Sequence, residues 1–194
     1  MLTPATFKVA FDAALPYEKY ITSGSEAHHR DWRSFERLAR DEASLTTEQR
    51  SLVGDFSRKL NILVISGLWC GDCAQQCPLL HIITERVEQL LDLRFVDRDQ
   101  HKDLAEHVRI CGGFRVPTVI FANEDFEFLA LAGDKTLSRL RAQAKRALGA
   151  VCPIPGSPVP ADEIAATLAD WLAEVERVHL LARLSSKLRQ RHGD

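Results

Sequence analysis

The sequence predicts an α/β protein with a mixed central sheet and helices added at both ends. Three observations carry this. The run Ile62 to Ile65 is continuously apolar and of strand length, as expected for a strand covered on both faces. A helical pattern follows from Cys73 to Leu91, with Leu79, Leu80, Ile83, Val87, Leu90 and Leu91 inward. Shorter apolar runs and turn signals then alternate, giving the order β-α-β-α-β-β-α over residues 61–150.

Residues 1–60 read as a helical extension packing on this core. Thr3 caps a helix that opens on Pro4, with Phe7, Ala10, Phe11 and Ala14 on one face and Leu15-Pro16 as its stop. Trp32, Phe35, Leu38 and Ala39 form the stripe of a second helix. Thr46-Thr47-Glu48-Gln49 fits a capping box and opens a third, with Leu52, Val53, Phe56 and Leu60 inward. After the first strand and its helix, Leu93 to Val96 is a second strand and His101 to Ile110 a short helix, closed by the glycines at 112 and 113. Pro117 to Phe121 and Phe126 to Leu131 are the third and fourth strands. Gly133-Asp134 leads into a helix ending near Gly149. Residues 151–160 hold four prolines and read as a semi-rigid linker. Residues 161–194 read as one long helix with Ile164, Leu168, Trp171, Val175 and Val178 as its stripe. That stripe packs back on the N-terminal helices or pairs with a second copy, and the first is the expectation.

An apolar share of 45%, a charged share of 27% and a net charge of −2 are ordinary for a globular chain. They leave no electrostatic footprint for nucleic acid or an anionic membrane. No stretch approaches a bilayer span, and the first residues lack a charged leader followed by an apolar block, so a cytoplasmic location is expected. Five cysteines, an odd number, do not suggest a secreted disulfide framework.

The chemistry concentrates at Trp69-Cys70-Gly71-Asp72-Cys73. Here a strand hands over to a helix, whose N-terminus presents free N–H groups and partial positive charge that favour a thiolate at Cys70. Cys70 can attack a disulfide and Cys73 can resolve the mixed disulfide. Together with Pro78 inside the following helix, Arg115-Val116-Pro117-Thr118 opening a strand, and Gly133 after the fourth strand, this motif resembles the thioredoxin superfamily over about residues 59–149. The resemblance implies a thioredoxin-like fold and a redox-active centre in which Cys70 is the nucleophile and Cys73 the resolving thiol. It makes Pro117 the cis-proline beside the disulfide and Val116 the residue that offers its backbone to substrate. Trp69, Gly71 and Asp72 complete the substrate-binding surface. The implied activity is reduction of protein or small-molecule disulfides, with no cofactor and no metal, recharged by a reductase or a low-molecular-weight thiol.

Three departures from thioredoxins set further expectations. Asp72 stands where proline is common, and its carboxylate is expected to raise the Cys70 pKa and make the couple mildly reducing. The strand position of the thioredoxin buried acid is Val64. No carboxylate lies between Ile62 and Cys70, so a base for Cys73 would come from Asp72, Asp97, Asp99 or water. Cys77 and His81 follow Cys73 at helical spacing, which admits a zinc or iron–sulfur set with Cys70 and Cys73, although Cys77 is expected to turn inward as a core thiol. Cys111 reads as a core or loop thiol, and His28, His29, His101 and His107 as surface residues. The alternative to an enzyme is a binding or scaffolding module, which an exposed apolar patch on the helical extensions would favour.

Overall fold

The computed structural model describes residues 2–148 and 161–193. The chain opens with α1 (Pro4–Ala13), the two-residue strand β1 (Leu15–Pro16), α2 (Tyr17–Ile21), α3 (Glu26–Glu42) and α4 (Thr47–Gly54). The central unit follows as β2 (Leu60–Ser66), α5 (Gly71–Thr84), β3 (Leu91–Asp97), α6 (Lys102–Glu106), β4 (Thr118–Ala122), β5 (Phe128–Gly133) and α7 (Leu137–Leu148). Two helices, α8 (Ala161–Arg183) and α9 (Ser186–His192), complete it. The linker predicted over residues 151–160, with Cys152, lies outside the described residues.

The sheet has the order β1-β3-β2-β4-β5. β2 sits at its centre, parallel to β3 and antiparallel to β4, and β5 runs antiparallel to β4. All seven residues of β2 are buried, which accounts for its unbroken apolar run. The fold is therefore the mixed thioredoxin-like α/β architecture that the motifs imply. β1 is an addition: it pairs antiparallel with β3 through Leu15 and Phe95, at the sheet edge, where a proline such as Pro16 is tolerated.

The helix caps form as the sequence predicts. Thr3 Oγ1 accepts the Thr6 N–H, and Thr46 and Gln49 make the reciprocal capping box. Several boundaries move. α4 ends at Gly54, so Phe56 and Leu60 are buried from the connection and from β2 rather than from a helix face. α5 stops at Thr84 and tightens into a 3₁₀ turn over Glu85–Val87, and Leu91 is already strand. α6 is half the predicted length, because the chain tightens after Ala105 and then turns back between Ile110 and Gly113. The expected single C-terminal helix breaks at Ser185, whose hydroxyl accepts the Leu188 N–H and starts α9.

α5 is covered by α3 and α8, and α8 also contacts α7 and β5, so the apolar stripe of α8 (Ile164, Leu168, Trp171, Val175, Val178) is buried against both the added helices and the central unit. His179 on α8 ties it to the segment before β2: its Nε2 accepts the N–H groups of Ser57 at 3.0 Å and Arg58 at 3.1 Å. Among the described residues, no helix is long and apolar enough to cross a membrane.

Candidate active site

β2 ends at Ser66, and a tight turn closed by the Cys70 N–H on the Gly67 carbonyl (2.9 Å) carries the chain to α5. Gly67 leaves room for the Trp69 ring, from which a Cβ here would lie 2.7 Å. A second anchor comes from the N-terminal extension: the fully buried Trp32 of α3 donates its indole N–H to the Leu68 carbonyl at 3.0 Å. Trp69 is thereby presented half-exposed, at 50%, with the Arg98 guanidinium 4.6 Å above its ring.

Cys70 is the N-cap of α5, in an extended backbone conformation, and its Sγ accepts the Cys73 N–H at 3.4 Å. The same sulfur lies 3.7 Å from the Val116 carbonyl, to which the thiol donates. The Val116–Pro117 peptide is cis. Thr118 steadies this turn by donating its hydroxyl to the Arg115 carbonyl at 2.7 Å. Gly133 completes it: its φ is +126°, and a Cβ would stand 2.3 Å from the Pro117 carbonyl oxygen. Gln76 of α5, fully buried, donates to the Asp134 carbonyl at 2.9 Å and accepts the Thr136 N–H, locking that approach. The structure thus gathers Trp69, Cys70, Gly71, Asp72, Cys73, Val116 and Pro117 at one end of β2, as the motif predicts.

Both thiols are free. Cys70 is half-buried and Cys73 is 0% exposed. The hydrogen bond and charge shared with Cys73, together with partial burial, push the Cys70 thiol up, while the N–H groups of Cys73 and Asp72 oppose that rise. Burial holds Cys73 well above the ordinary thiol range, and the neighbouring Cys77 adds to it. The accessible sulfur that receives backbone N–H groups is Cys70, and these donors favour its thiolate over that of the enclosed Cys73.

Asp72 does not face the thiols alone. Its carboxylate is held by Lys135 at 2.9 Å and Arg139 at 2.8 Å, and the largest causes that raise Cys70 are Cys73 and burial. Arg139 also binds Gln75 at 2.8 Å, and Lys135 and Arg115 both reach Asp134. Sequence reasoning missed Lys135 and Arg139, since both lie more than sixty positions from Asp72 and carry no local signature. The candidate bases for Cys73 are committed elsewhere as well. Asp97 Oδ1 accepts the N–H groups of Asp99 and Gln100, and Asp99 pairs with Arg98 at 2.9 Å.

Cys77 is buried, as expected. His81 does not join the thiols in a metal set: its ring stacks on Tyr17 at 4.1 Å, and the groups that gather within ligand range among the described residues are Glu18, Glu36 and His81. Those two carboxylates are bridged by Arg33, so the cluster is an ion-pair network. Cys111 is exposed in the turn before Pro117.

Two solved structures share the fold over nearly the whole chain. A Pseudomonas aeruginosa protein of unknown function, PA1234, is 16% identical with a TM-score of 0.69, covering 92% of this chain and 97% of its own. An HIV epitope-scaffold of the 4E10 series is 17% identical with a TM-score of 0.64, covering 87% of this chain and 93% of its own. No curated protein sequence matches the chain. The family model described as thioredoxin matches residues 15–134, more than half of the 194 residues, and it takes in β1 through the end of β5, with both cysteines and Pro117. On that match the chain belongs to the thioredoxin family.

Proposed function

We propose that the protein is a thiol–disulfide oxidoreductase that reduces protein or small-molecule disulfides through Cys70 and Cys73. The observation that carries this reading is Cys70 itself: a half-exposed sulfur at the N-terminus of α5, receiving the Cys73 N–H at 3.4 Å and lying beside the Val116 carbonyl. The Cys70 thiolate attacks one sulfur of the substrate disulfide, forming a mixed disulfide and expelling the other sulfur as a thiolate that takes a proton. The Cys73 sulfur then attacks Cys70, forming the internal disulfide and releasing the second substrate thiol. Two electrons pass to the substrate, and a reductase or a low-molecular-weight thiol returns them. Trp69, Gly71 and Asp72 border the approach, and Val116-Pro117 align an extended substrate backbone.

Redox titration in dithiothreitol buffers, with alkylation and mass mapping of each cysteine, tests this. Cys70 and Cys73 are expected to cycle together as one two-electron couple, and Cys73→Ser to hold substrates as mixed disulfides on Cys70. Thiols that titrate independently, or Cys73→Ser protein that holds no disulfide partner, would overturn the reading. The scaffolding alternative draws on Leu180, Leu181 and Leu184 near the end of α8, the last 75% exposed, and it is what such a negative result would leave.

A further inference from the structure

Behind the dithiol, away from the charged mouth, lies a set of buried hydroxyls that close no hydrogen bond of good geometry, although Ser66 faces both Tyr20 and Cys73. Ser66 is the last residue of β2, 0% exposed, and its Oγ has no hydrogen-bond partner. Tyr20 of α2 is buried against Phe95 of β3, ring on ring at 5.2 Å, and its hydroxyl is also unpartnered. Strand register explains the meeting. Ser66 pairs with Asp97 and Val64 with Phe95 in the parallel β2–β3 ladder, and alternation puts Val64, Ser66, Phe95 and Asp97 on one face. Tyr20 stacks on Phe95 and so stands over that face, beside Ser66.

A buried hydroxyl without a partner is unfavourable by about 1–3 kcal/mol, so two side by side beneath a reacting thiol call for a physical reason. We propose that Ser66 and Tyr20 are positioning residues whose hydroxyls donate hydrogen bonds to the Cys73 sulfur as it becomes a thiolate in the resolving step. The inference rests on the oxidoreductase reading and deepens it. In the step concerned, the Cys73 sulfur bonds to Cys70, the Cys70–substrate S–S bond breaks, and the proton of Cys73 leaves with the departing substrate thiol. The sulfur carries negative charge on the way, and the carboxylate on that face, Asp97, is taken up by the N–H groups of Asp99 and Gln100.

The surroundings fit this role. The groups weighing most on Cys73 are its own burial, Cys70, Cys77 and Ser66, and of these Ser66 and Cys70 favour its thiolate. Tyr20 faces Ser66, Cys77, Cys73 and Asp97, and burial keeps its phenol protonated, so it acts only as a donor. Tyr17, with a third unpartnered hydroxyl, faces Cys77, Glu36, Arg33 and Glu18 and stacks on His81. It belongs to the same wall one step further from Cys73.

The test separates the two chemical steps. Dithiobis(nitrobenzoate) releases one coloured thiolate when Cys70 attacks it and a second when Cys73 resolves the adduct. The full chain is used with Cys111→Ser and Cys152→Ser, which leaves the buried Cys77 as the one further thiol beside the pair. Ser66→Ala and Tyr20→Phe are each expected to leave the first release within about twofold and to slow the second about tenfold, the effect of one hydrogen bond to a charged group. The pH at which the second release reaches half its maximal rate should rise, and Ser66→Thr should restore it. Because each variant deletes an unpartnered hydroxyl, its melting temperature should hold or rise, which a merely structural role would not give. A second release unchanged in both variants, or slowed no more than the first, overturns the inference and leaves the oxidoreductase reading standing. A parent protein that gives no first release at Cys70 overturns both.

Discussion

The two sides of the dithiol are built on opposite rules. At the mouth, charge is abundant and matched: Asp72 is held by Lys135 and Arg139, Asp134 by Arg115 and Lys135, and Asp99 by Arg98. On the inner wall the hydroxyls of Ser66 and Tyr20 are unmatched, and the carboxylate on that face, Asp97, is taken up by backbone N–H groups. Matched charges fix geometry and contribute little net field at the sulfur. Unmatched donors have hydrogen-bonding capacity in reserve, which a transient anion can take up. The mouth is thus held by paired charges, whereas the inner wall keeps hydroxyl donors available to the Cys73 sulfur.

The largest break is expected at the mouth, from Gly133→Ala. The added methyl group meets the Pro117 carbonyl oxygen at 2.3 Å on a backbone with φ of +126°. Chemical denaturation should show a loss of about 1–3 kcal/mol, the scale of a backbone forced into a disfavoured region, and disulfide exchange should fall with the displaced Val116-Pro117 turn. A variant with unchanged stability would mean the close approach does not constrain the loop.

A subtler break unbalances the matched charges. Arg139→Met leaves Asp72 with Lys135 alone and should slow alkylation of Cys70 at neutral pH by about three- to tenfold, with Asp72→Asn speeding it by a similar factor. The double variant should return to within about twofold of the parent, because the charge removed then sums to nothing. A double variant that stays as fast as Asp72→Asn would show that Asp72 opposes the thiolate regardless of its partners.

The smallest effect sharpens the contrast with a buried group whose partners are all present. His179 accepts two backbone N–H groups on Nε2, and burial, Arg183 and Arg58 depress its pKa. The unfolded chain therefore binds a proton first. The stabilisation is whole above about pH 6.5, the ordinary histidine value, and is lost as pH falls from there through the depressed folded value. His179→Gln keeps an acceptor but not the titration, so its stability measured between pH 7 and pH 5 should fall less steeply than the parent's. Equal slopes would remove His179 from the account.

Much of this was legible in the residues. β2 announces itself because every position is buried, and the handover at Cys70 because a strand, two cysteines and a helix pattern are contiguous. β1 was not legible, since a two-residue strand ending in proline has no periodicity to read. The break at Ser185 was hidden inside a run of good helix formers, where one serine cap decides. Ser66 was open to inference from strand alternation with Val64, whereas Lys135, Arg139 and Trp32 reach the site only through tertiary contact. Their types and positions alone say nothing of what they touch.

One such contact reaches beyond this molecule. The indole of Trp32 holds the Leu68 carbonyl from 36 positions upstream, outside the strand-helix unit that bears the cysteines. The five-residue motif is therefore not a portable cassette. Grafted onto a thioredoxin that lacks the leading helices, Trp69-Cys70-Gly71-Asp72-Cys73 would keep its letters and lose the strut that sets its loop. Trimming this chain to residues 59–149, which carry the motif, would do the same.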